Sequence, residues 1–183
     1  GLPMLTRAEL LGQIMRNYDT PVAISGTHGK TTTTSMVSHI LLAGDCDPTI
    51  SVGGILPAIG GNIRVGNSET FVTEACEYTN SFLSFFPKIS IILNMDADHL
   101  DFFKDIDDIR HSFRRFAELL PADGTLIINA DTPKYEDIIR DLPCNVITYG
   151  LEHDADYQAA DITYDKYGHA SFSVLRNGVK VGS

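Results

Sequence analysis

The most informative stretch of this chain reads Ala23-Ile24-Ser25-Gly26-Thr27-His28-Gly29-Lys30-Thr31-Thr32-Thr33-Thr34. A short apolar run predicts a buried strand, two glycines predict a turn, and the residues after them have a helical pattern. Such a turn aims several backbone N–H groups at one point beside the positive end of the helix dipole, which suits an anion. Lys30 adds a point charge for the β- and γ-phosphates of a nucleotide, and Thr31 adds a hydroxyl for magnesium. The stretch therefore predicts a phosphate-binding loop.

The expected phosphate contacts come from seven consecutive residues, which are Gly26, Thr27, His28, Gly29, Lys30, Thr31 and Thr32. The loop is a shortened variant, because Ile24 stands where the longer consensus has a further glycine. The alternative is a glycine-rich strand-to-helix turn without a ligand. Two interpretations of the His28 side chain stay open, contact with the ligand and exposure to solvent. The order of strand, glycines, Lys-Thr and helix favours phosphate binding.

Strands and helices alternate along the first 150 residues, which indicates parallel β-α-β units. We expect helices over residues 6–17, 31–43, 79–86, 105–120 and 133–141, and strands over 21–25, 49–52, 70–75, 89–93, 125–129 and 145–149. The glycine-rich segment 53–68 is expected to be a loop. After Gly150 the pattern changes to strands over 161–165 and 170–175 and a hairpin turn at Asn177-Gly178. The predicted fold is α/β, a P-loop-type, mostly parallel sheet flanked by helices, with a small antiparallel β-sheet at the C-terminal end.

Polar side chains follow two other predicted strands. Ligands of open α/β sheets bind outside the carboxyl ends of the strands, so these side chains are expected near Lys30. Glu74 ends strand 70–75, and an acidic residue at the end of an apolar strand needs a partner. His99 follows strand 89–93 and is the candidate imidazole, since a hard cation takes oxygen ligands and a neutral imidazole can add one nitrogen. The simpler interpretation of the nearby aspartates is turn and cap chemistry, which applies to Asp96, Asp98 and Asp101.

The composition describes an acidic globular chain of 183 residues, in which 14 Lys plus Arg stand against 24 Asp plus Glu. The net charge of −10 argues against a dedicated binder of nucleic acid or of an anionic membrane. Cys46, Cys76 and Cys144 form no C-x-x-C pair, so no disulfide framework or zinc clip is indicated and a reducing cytoplasm fits best. No apolar run has the length of a membrane span.

Three motifs together resemble the Mur ligase family, the ATP-dependent amide-forming enzymes of peptidoglycan synthesis. The first is the phosphate loop over residues 26–34, with His at position 28 where some members have Asn. The second is Glu74-Ala75-Cys76-Glu77, and the third is Asn94-Met95-Asp96-Ala97-Asp98-His99-Leu100-Asp101. The opening segment adds matches at Pro3, Arg7, Ala8 and Glu9. One departure is Cys76, which stands where the family usually has Asp and which we expect to be a small buried thiol.

The resemblance implies ATP and Mg²⁺ as cofactors and a role for each candidate side chain. Thr31 and Glu74 would hold one magnesium ion across the β- and γ-phosphates, and His99 would hold or orient a second ion near the substrate carboxylate. Lys30 would neutralise phosphate charge. The expected catalytic residues are therefore Lys30, Glu74 and His99, and the expected metal ligands are Thr31, Glu74 and His99. Segment 53–68 would face the sugar.

The resemblance is closest to the members that join L-alanine to UDP-N-acetylmuramate through an acyl phosphate, in the cytoplasm. Two alternatives stay open: the members that attach an intact peptide to the same nucleotide sugar, and a non-catalytic nucleotide-binding module. We expect residues 1–183 to be the central ATP-binding domain of a longer chain, because the sequence does not begin with Met and stops inside a hairpin. An N-terminal UDP-sugar domain and a C-terminal domain would lie outside it, so we expect the isolated chain to be inactive.

Overall fold

The computed structural model describes residues 4–183, so the match at Pro3 lies outside the described residues. Within 4–183, ten strands form one sheet with four α-helices. The helices are α1 (Arg7–Met15), α2 (Lys30–Ala43), α3 (Ile106–Ala117) and α4 (Tyr135–Ile139). The strands are β1 (Thr20–Ser25), β2 (Thr49–Leu56), β3 (Gly61–Arg64), β4 (Thr70–Glu74), β5 (Ile89–Ile92), β6 (Thr125–Asn129), β7 (Asn145–Gly150), β8 (Tyr157–Tyr164), β9 (Ala170–Arg176) and β10 (Val179–Gly182). No helix in this described part is long and apolar enough to cross a membrane.

The strand order places the reversal of the sheet at β1. The order is β10-β9-β8-β7-β6-β5-β1-β4-β2-β3, and β1 is parallel to both of its neighbours, β4 and β5. The chain builds one side of the sheet after β1 and then crosses to the other side at β5. The loops that follow β1, β4 and β5 therefore meet at one edge, where ligands of open α/β sheets bind.

Strand β1 is buried because helices cover both faces of the sheet. Its alternate side chains point to opposite faces. Ala23 belongs to the larger apolar cluster, to which α1, α3 and α4 contribute. Val22 and Ile24 belong to a second cluster, which α2 covers. In the larger cluster the Phe82 ring stacks on the Phe116 ring at a centroid distance of 4.6 Å. The predicted α/β fold with a mostly parallel, helix-flanked sheet is confirmed.

Side chains cap the starts of two helices, whereas the helix that follows the loop after β1 starts without a side-chain cap. Thr6 and Glu9 form a reciprocal capping box at α1, and the Asp105 side chain accepts two backbone N–H bonds at α3. Helix α2 instead begins after Gly29, which has a φ of 83°, and no side chain caps it. Its first internal hydrogen bond runs from the Thr33 N–H to the Gly29 carbonyl at 2.9 Å. The N–H groups of the helix before Thr33 therefore have no carbonyl partner within the helix.

The prediction of a loop over residues 53–68 was wrong for residues 53–64, whereas residues 65–68 are irregular as predicted. β2 continues to Leu56, a 3-10 turn follows at Pro57–Ile59, and β3 pairs back antiparallel to β2. Gly60 makes the reversal at a φ of 69°. The glycine content suggested an irregular loop, but these glycines serve a hairpin that adds an edge strand. Two expected helices also differ, because residues 78–84 form a kinked 3-10 helix and α4 has five residues.

The antiparallel strands expected at the C-terminal end are confirmed, and they extend the main sheet. β8 and β9 are antiparallel, as are β9 and β10. β8 joins β7 through a short parallel pairing of Tyr149 with Tyr157 and Gly150 with Gln158. The two parts therefore form one sheet with a narrow junction.

Candidate functional site

The phosphate loop connects β1 to α2 and needs both of its glycines. Gly26 has a φ of 147°, and a Cβ there would lie 2.9 Å from the Leu93 Cβ. Gly29 has a φ of 83°, in the left-handed region that L side chains avoid. The backbone thus turns sharply from the buried strand into the helix. Thr31 and Thr32 are exposed on the first turn of α2, at the positive end of its dipole.

The loop is fastened to the segment after β5. The Asn94 amide accepts a bond from the His28 N–H at 2.8 Å and donates one to the His28 carbonyl at 3.0 Å. The Thr27 N–H donates to the Asn94 carbonyl, and the Thr27 hydroxyl accepts from the Asp96 N–H at 2.9 Å. The N–H groups of Thr27 and His28 are therefore engaged within the protein. The His28 ring is 65% exposed, and its Nε2 lies 3.9 Å from the Asp96 carboxylate.

Lys30 is folded back beneath its own loop. Its Nζ donates to the Gly26 carbonyl at 2.6 Å and to the Thr27 carbonyl at 3.2 Å. It also contacts both carboxylate oxygens of Glu77, at 2.9 and 3.2 Å. The Glu77 side chain is only 2% exposed, and Lys30 supplies the charge that compensates its burial.

The structure brings Glu74 and Thr31 together, as the positions of β4 and α2 predict. The Thr31 hydroxyl donates to Glu74 Oε2 at 3.1 Å, and the Gly53 N–H donates to Oε1 at 2.6 Å. A Cβ on Gly53 would lie 2.7 Å from Oε2, so a side chain at that position would displace the Glu74 carboxylate. The site thus presents a hydroxyl and a carboxylate side by side, and both are oxygen donors of the kind that Mg²⁺ prefers.

His99 lies on the other side of Lys30, next to Glu77 rather than Glu74. Its Nε2 is 3.7 Å from Glu77 Oε1, and its ring packs on the Tyr78 ring at a centroid distance of 4.6 Å. The Tyr78 hydroxyl donates to the Asp101 carboxylate at 2.7 Å, and that bond raises the pKa of Tyr78. Throughout 4–183, no three His, Cys, Asp or Glu side chains are grouped as a metal site. Glu74 and His99, two of the expected metal ligands, therefore contact different residues: Glu74 contacts Thr31, and His99 contacts Glu77.

The segment from residue 24 to residue 181 matches the family model described as the Mur ligase middle domain. The chain belongs to the Mur ligase family. It is 65% identical to a UDP-N-acetylmuramate–L-alanine ligase of Lachnospira eligens over 98% of the chain, which covers 39% of that relative. The chain therefore spans about two fifths of the length of this curated relative.

Two solved structures of the family have a closely similar fold. The ligase of Neisseria meningitides for UDP-N-acetylmuramate and L-alanyl-γ-D-glutamyl-meso-diaminopimelate has a TM-score of 0.85 and 27% identity, over 98% of this Mur ligase chain and 59% of that one. A UDP-N-acetylmuramate–alanine ligase of Thermotoga maritima has a TM-score of 0.77 and 26% identity, over 92% of this chain and 37% of that one. The fold therefore supports the family.

Two residues of this Mur ligase site were not assigned a role from the sequence. Glu77 was quoted in the second motif, but nothing in the local pattern indicated that it is buried against Lys30. Asn94 directly follows the apolar strand β5, and that placement was the available signal for its contact with the loop. The prediction of a buried thiol at Cys76 was wrong, because Cys76 is exposed.

Proposed function

We propose that this chain forms the ATP-binding centre of a ligase that joins L-alanine to UDP-N-acetylmuramate. The observation that carries the proposal is the meeting of Lys30, Thr31 and Glu74 at the reversal of the sheet. The Thr31 hydroxyl donates to Glu74 Oε2 at 3.1 Å, and Lys30 of the same loop pairs with Glu77. A lysine, a hydroxyl and a carboxylate at one edge of the sheet suit a phosphate and a magnesium ion. The 65% identity to an L-alanine ligase favours that branch of the family.

The residues present fit a nucleotide. No side chain caps the backbone N–H groups at the start of α2, and the Lys30 ammonium lies in the same loop, at the Gly26 carbonyl. We propose that Gly26, Thr27, His28, Gly29, Lys30, Thr31 and Thr32 surround the phosphates. Because the N–H groups of Thr27 and His28 are engaged with Asn94, the direct backbone donors would come from Gly29 onward.

The donor chemistry also fits magnesium. The hydroxyl of Thr31 and the carboxylate of Glu74 would hold one ion, which supplies charge neutralisation at the β- and γ-phosphates. We propose that His99 holds or orients a second ion on the substrate side. The packing of its ring on Tyr78 supports a fixed orientation. In this scheme the catalytic residues are Lys30, Glu74 and His99.

The proposed reaction needs no protein nucleophile. A carboxylate oxygen of the lactyl group forms a bond to the terminal phosphorus of ATP, and ADP leaves. The amine of L-alanine then attacks the acyl carbon, phosphate leaves, and the amine loses a proton. What this chain contributes is position and positive charge, which Lys30 and the first turn of α2 supply. The partners are thus ATP, UDP-N-acetylmuramate and L-alanine, without nucleic acid or membrane, in the cytoplasm where ATP is available.

The second candidate is the branch that attaches a peptide to UDP-N-acetylmuramate. One observation favours it, namely the TM-score of 0.85 to the Neisseria ligase. The identity to that ligase is 27%, against 65% to the L-alanine ligase, so the first candidate is preferred.

The test uses an alanine-ligase graft, in which this chain replaces the matching residues of the Lachnospira eligens ligase. Lys30→Ala in the graft should weaken Mg-ATP binding by roughly tenfold or more, because one charge-assisted contact contributes about 1.5–3 kcal/mol. Lys180→Ala is the matched control, since it removes the same charge from an exposed edge strand. Titration calorimetry measures both. Equal ATP affinity in the unmodified graft and in Lys30→Ala would contradict nucleotide binding at this loop.

A further inference from the structure

The ammonium group of Lys30 has more acceptors than it has protons. Three N–H bonds face four oxygens, the Gly26 and Thr27 carbonyls and the two carboxylate oxygens of Glu77. All four oxygens lie within 3.2 Å of Nζ. The cation expected to bind phosphate is therefore fully occupied by the protein itself.

Glu77 is the charged member of this set. Its side chain is 2% exposed, so the carboxylate has lost nearly all of its contact with water. Among the described residues, Lys30 and His99 are the basic side chains within 4 Å of it, at 2.9 Å and 3.7 Å. A buried carboxylate attracts a nearby ammonium strongly, because the surroundings screen the attraction weakly. A phosphate that enters the loop competes with Glu77 for the same cation.

We propose that Glu77 is a positioning residue that holds the Lys30 ammonium away from the phosphate position in the nucleotide-free site. Nucleotide binding then requires Lys30 to exchange the Glu77 carboxylate for phosphate oxygens. The apparent affinity for ATP is reduced by the fraction of molecules in which Lys30 is withdrawn. The inference rests on the proposed function, because it assigns the competing ligand as a nucleotide phosphate.

A purely structural role for Glu77 makes a different prediction. If the ion pair only stabilised the fold, loss of the Glu77 charge would lower the melting temperature and leave ATP affinity unchanged or weaker. If Glu77 competes with phosphate, loss of its charge frees Lys30 and strengthens ATP binding. The sign of the change in affinity separates the two roles.

The experiment measures Mg-ATP dissociation constants in the alanine-ligase graft with Glu77→Gln. We expect binding to become tighter by roughly fivefold, because a larger fraction of the molecules presents a free Lys30. Asp96→Asn is the matched control, since it removes one negative charge beside the same loop from a side chain that is 63% exposed. Its effect should be smaller, because solvent screens exposed charges. Glu77→Asp, which keeps the charge on a shorter side chain, is the second variant if Glu77→Gln does not fold, and it should also tighten binding.

A double-mutant cycle assigns the effect to Lys30. In the Lys30→Ala background, Glu77→Gln should leave ATP affinity unchanged, because the cation for which Glu77 competes is gone. Tightening of equal size in that background, or in Asp96→Asn, would overturn the inference, as would unchanged or weaker binding in Glu77→Gln. Failure of the proposed function has a separate signature, which is equal affinity in the unmodified graft and in Lys30→Ala.

Discussion

Glu74 owes its position to a residue that has no side chain. The Gly53 N–H donates to Glu74 Oε1 at 2.6 Å, and β2 passes so close that a Cβ on Gly53 would lie 2.7 Å from Oε2. The neighbouring Gly54 differs, because its Cβ would make an ordinary contact of 3.4 Å with Thr31 Cγ2. Adjacent glycines of one strand therefore have different consequences for the proposed magnesium site.

Gly53→Ala should lower kcat of the alanine-ligase graft by about tenfold or more, because an ångström-scale displacement of a positioned group reduces the rate steeply. Gly54→Ala is the matched control and should stay within about twofold of the unmodified graft, since ordinary van der Waals contact displaces nothing. A steady-state assay of ADP release measures both variants. Equal activity of Gly53→Ala and Gly54→Ala would mean that the position of Glu74 is not needed.

The three cysteines should differ in reactivity. Cys46 and Cys76 are exposed, whereas Cys144 is buried and burial raises the pKa of its thiol. Because the thiolate is the reactive form, Cys144 should react slowly with a thiol reagent at pH 8. When the native protein is treated with a thiol reagent, Cys46 and Cys76 should therefore react quickly, and Cys144 should react only after a denaturant is added. Rapid reaction of all three would contradict the packing around β7.

At the residue scale, the sequence identifies those candidate site residues that stand in a recognisable local pattern. Lys30 and Thr31 stand in the spacing of a phosphate loop, and Glu74 is an acidic residue at the end of an apolar strand. Glu77 lacks such a signal, because its burial depends on how the turn after β4 packs beneath the loop after β1. Contacts between segments that are distant in the sequence can be identified only once the fold is known.

At the element scale, one carboxylate organises the turn after β7. Asp131, just after β6, accepts N–H bonds from Leu151, Glu152 and His153 at 2.6 to 3.1 Å, and the His153 Nδ1 lies 3.0 Å away. Burial alone raises the pKa of Asp131, but these hydrogen bonds outweigh it and lower the pKa to about 2. The Asp131 carboxylate therefore holds the turn between β7 and β8 through hydrogen bonds to three consecutive backbone N–H groups.

Asp131→Asn should lower the melting temperature by about 2–4 °C, because the amide offers one acceptor oxygen in place of two. The folded pKa of about 2 lies below the ordinary 3.8, so the stabilisation is present above pH 4 and is lost as the pH falls toward 2. The difference between the two proteins should shrink across that window. Thermal melts at pH 7 and at pH 2.5 measure it.

Asp137→Asn is the control for Asp131→Asn. Asp137 forms an exposed pair with Arg140, and such surface pairs contribute little to stability. Its melting temperature should match that of the unmodified chain within about 1 °C. If Asp137→Asn lowered the melting temperature as much as Asp131→Asn does, the loss of stability would come from removal of any acidic charge and not from the hydrogen bonds of Asp131.

The hairpin of β2 and β3 marks where element prediction failed. Its glycines were interpreted as a loop, although Leu56 is buried and Ile55 is 84% exposed, the alternation of a strand. The glycine-rich composition led to the loop prediction because the alternation of buried and exposed side chains spans only a few residues. The capped helices α1 and α3 were predictable, since a capping box and an Asp cap are local hydrogen-bond patterns.

At the scale of the whole molecule, the sheet explains why an acidic chain can bind a polyanion. Most of the net charge of −10 lies in residues 92–183, whereas Lys30 and the α2 N-terminus belong to the first half of the chain and lie at the edge formed by the loops after β1, β4 and β5. The mostly parallel sheet was predictable from the alternation of strands and helices, but the order of its strands was not predicted. The joining of β8 to β7 was not, because it depends on two residue pairs without a sequence signature.

The central claim is that this chain serves an L-alanine ligase, and grafts into two scaffolds test it most directly. One is the alanine-ligase graft, and the other places the chain in the Neisseria peptide ligase, to which it is 27% identical. Each graft receives UDP-N-acetylmuramate, Mg-ATP and its own amine substrate, and amide product is measured. We predict product from the alanine-ligase graft, loss of that product in Lys30→Ala, and none from the isolated chain. Product from the peptide-ligase graft alone would contradict the account.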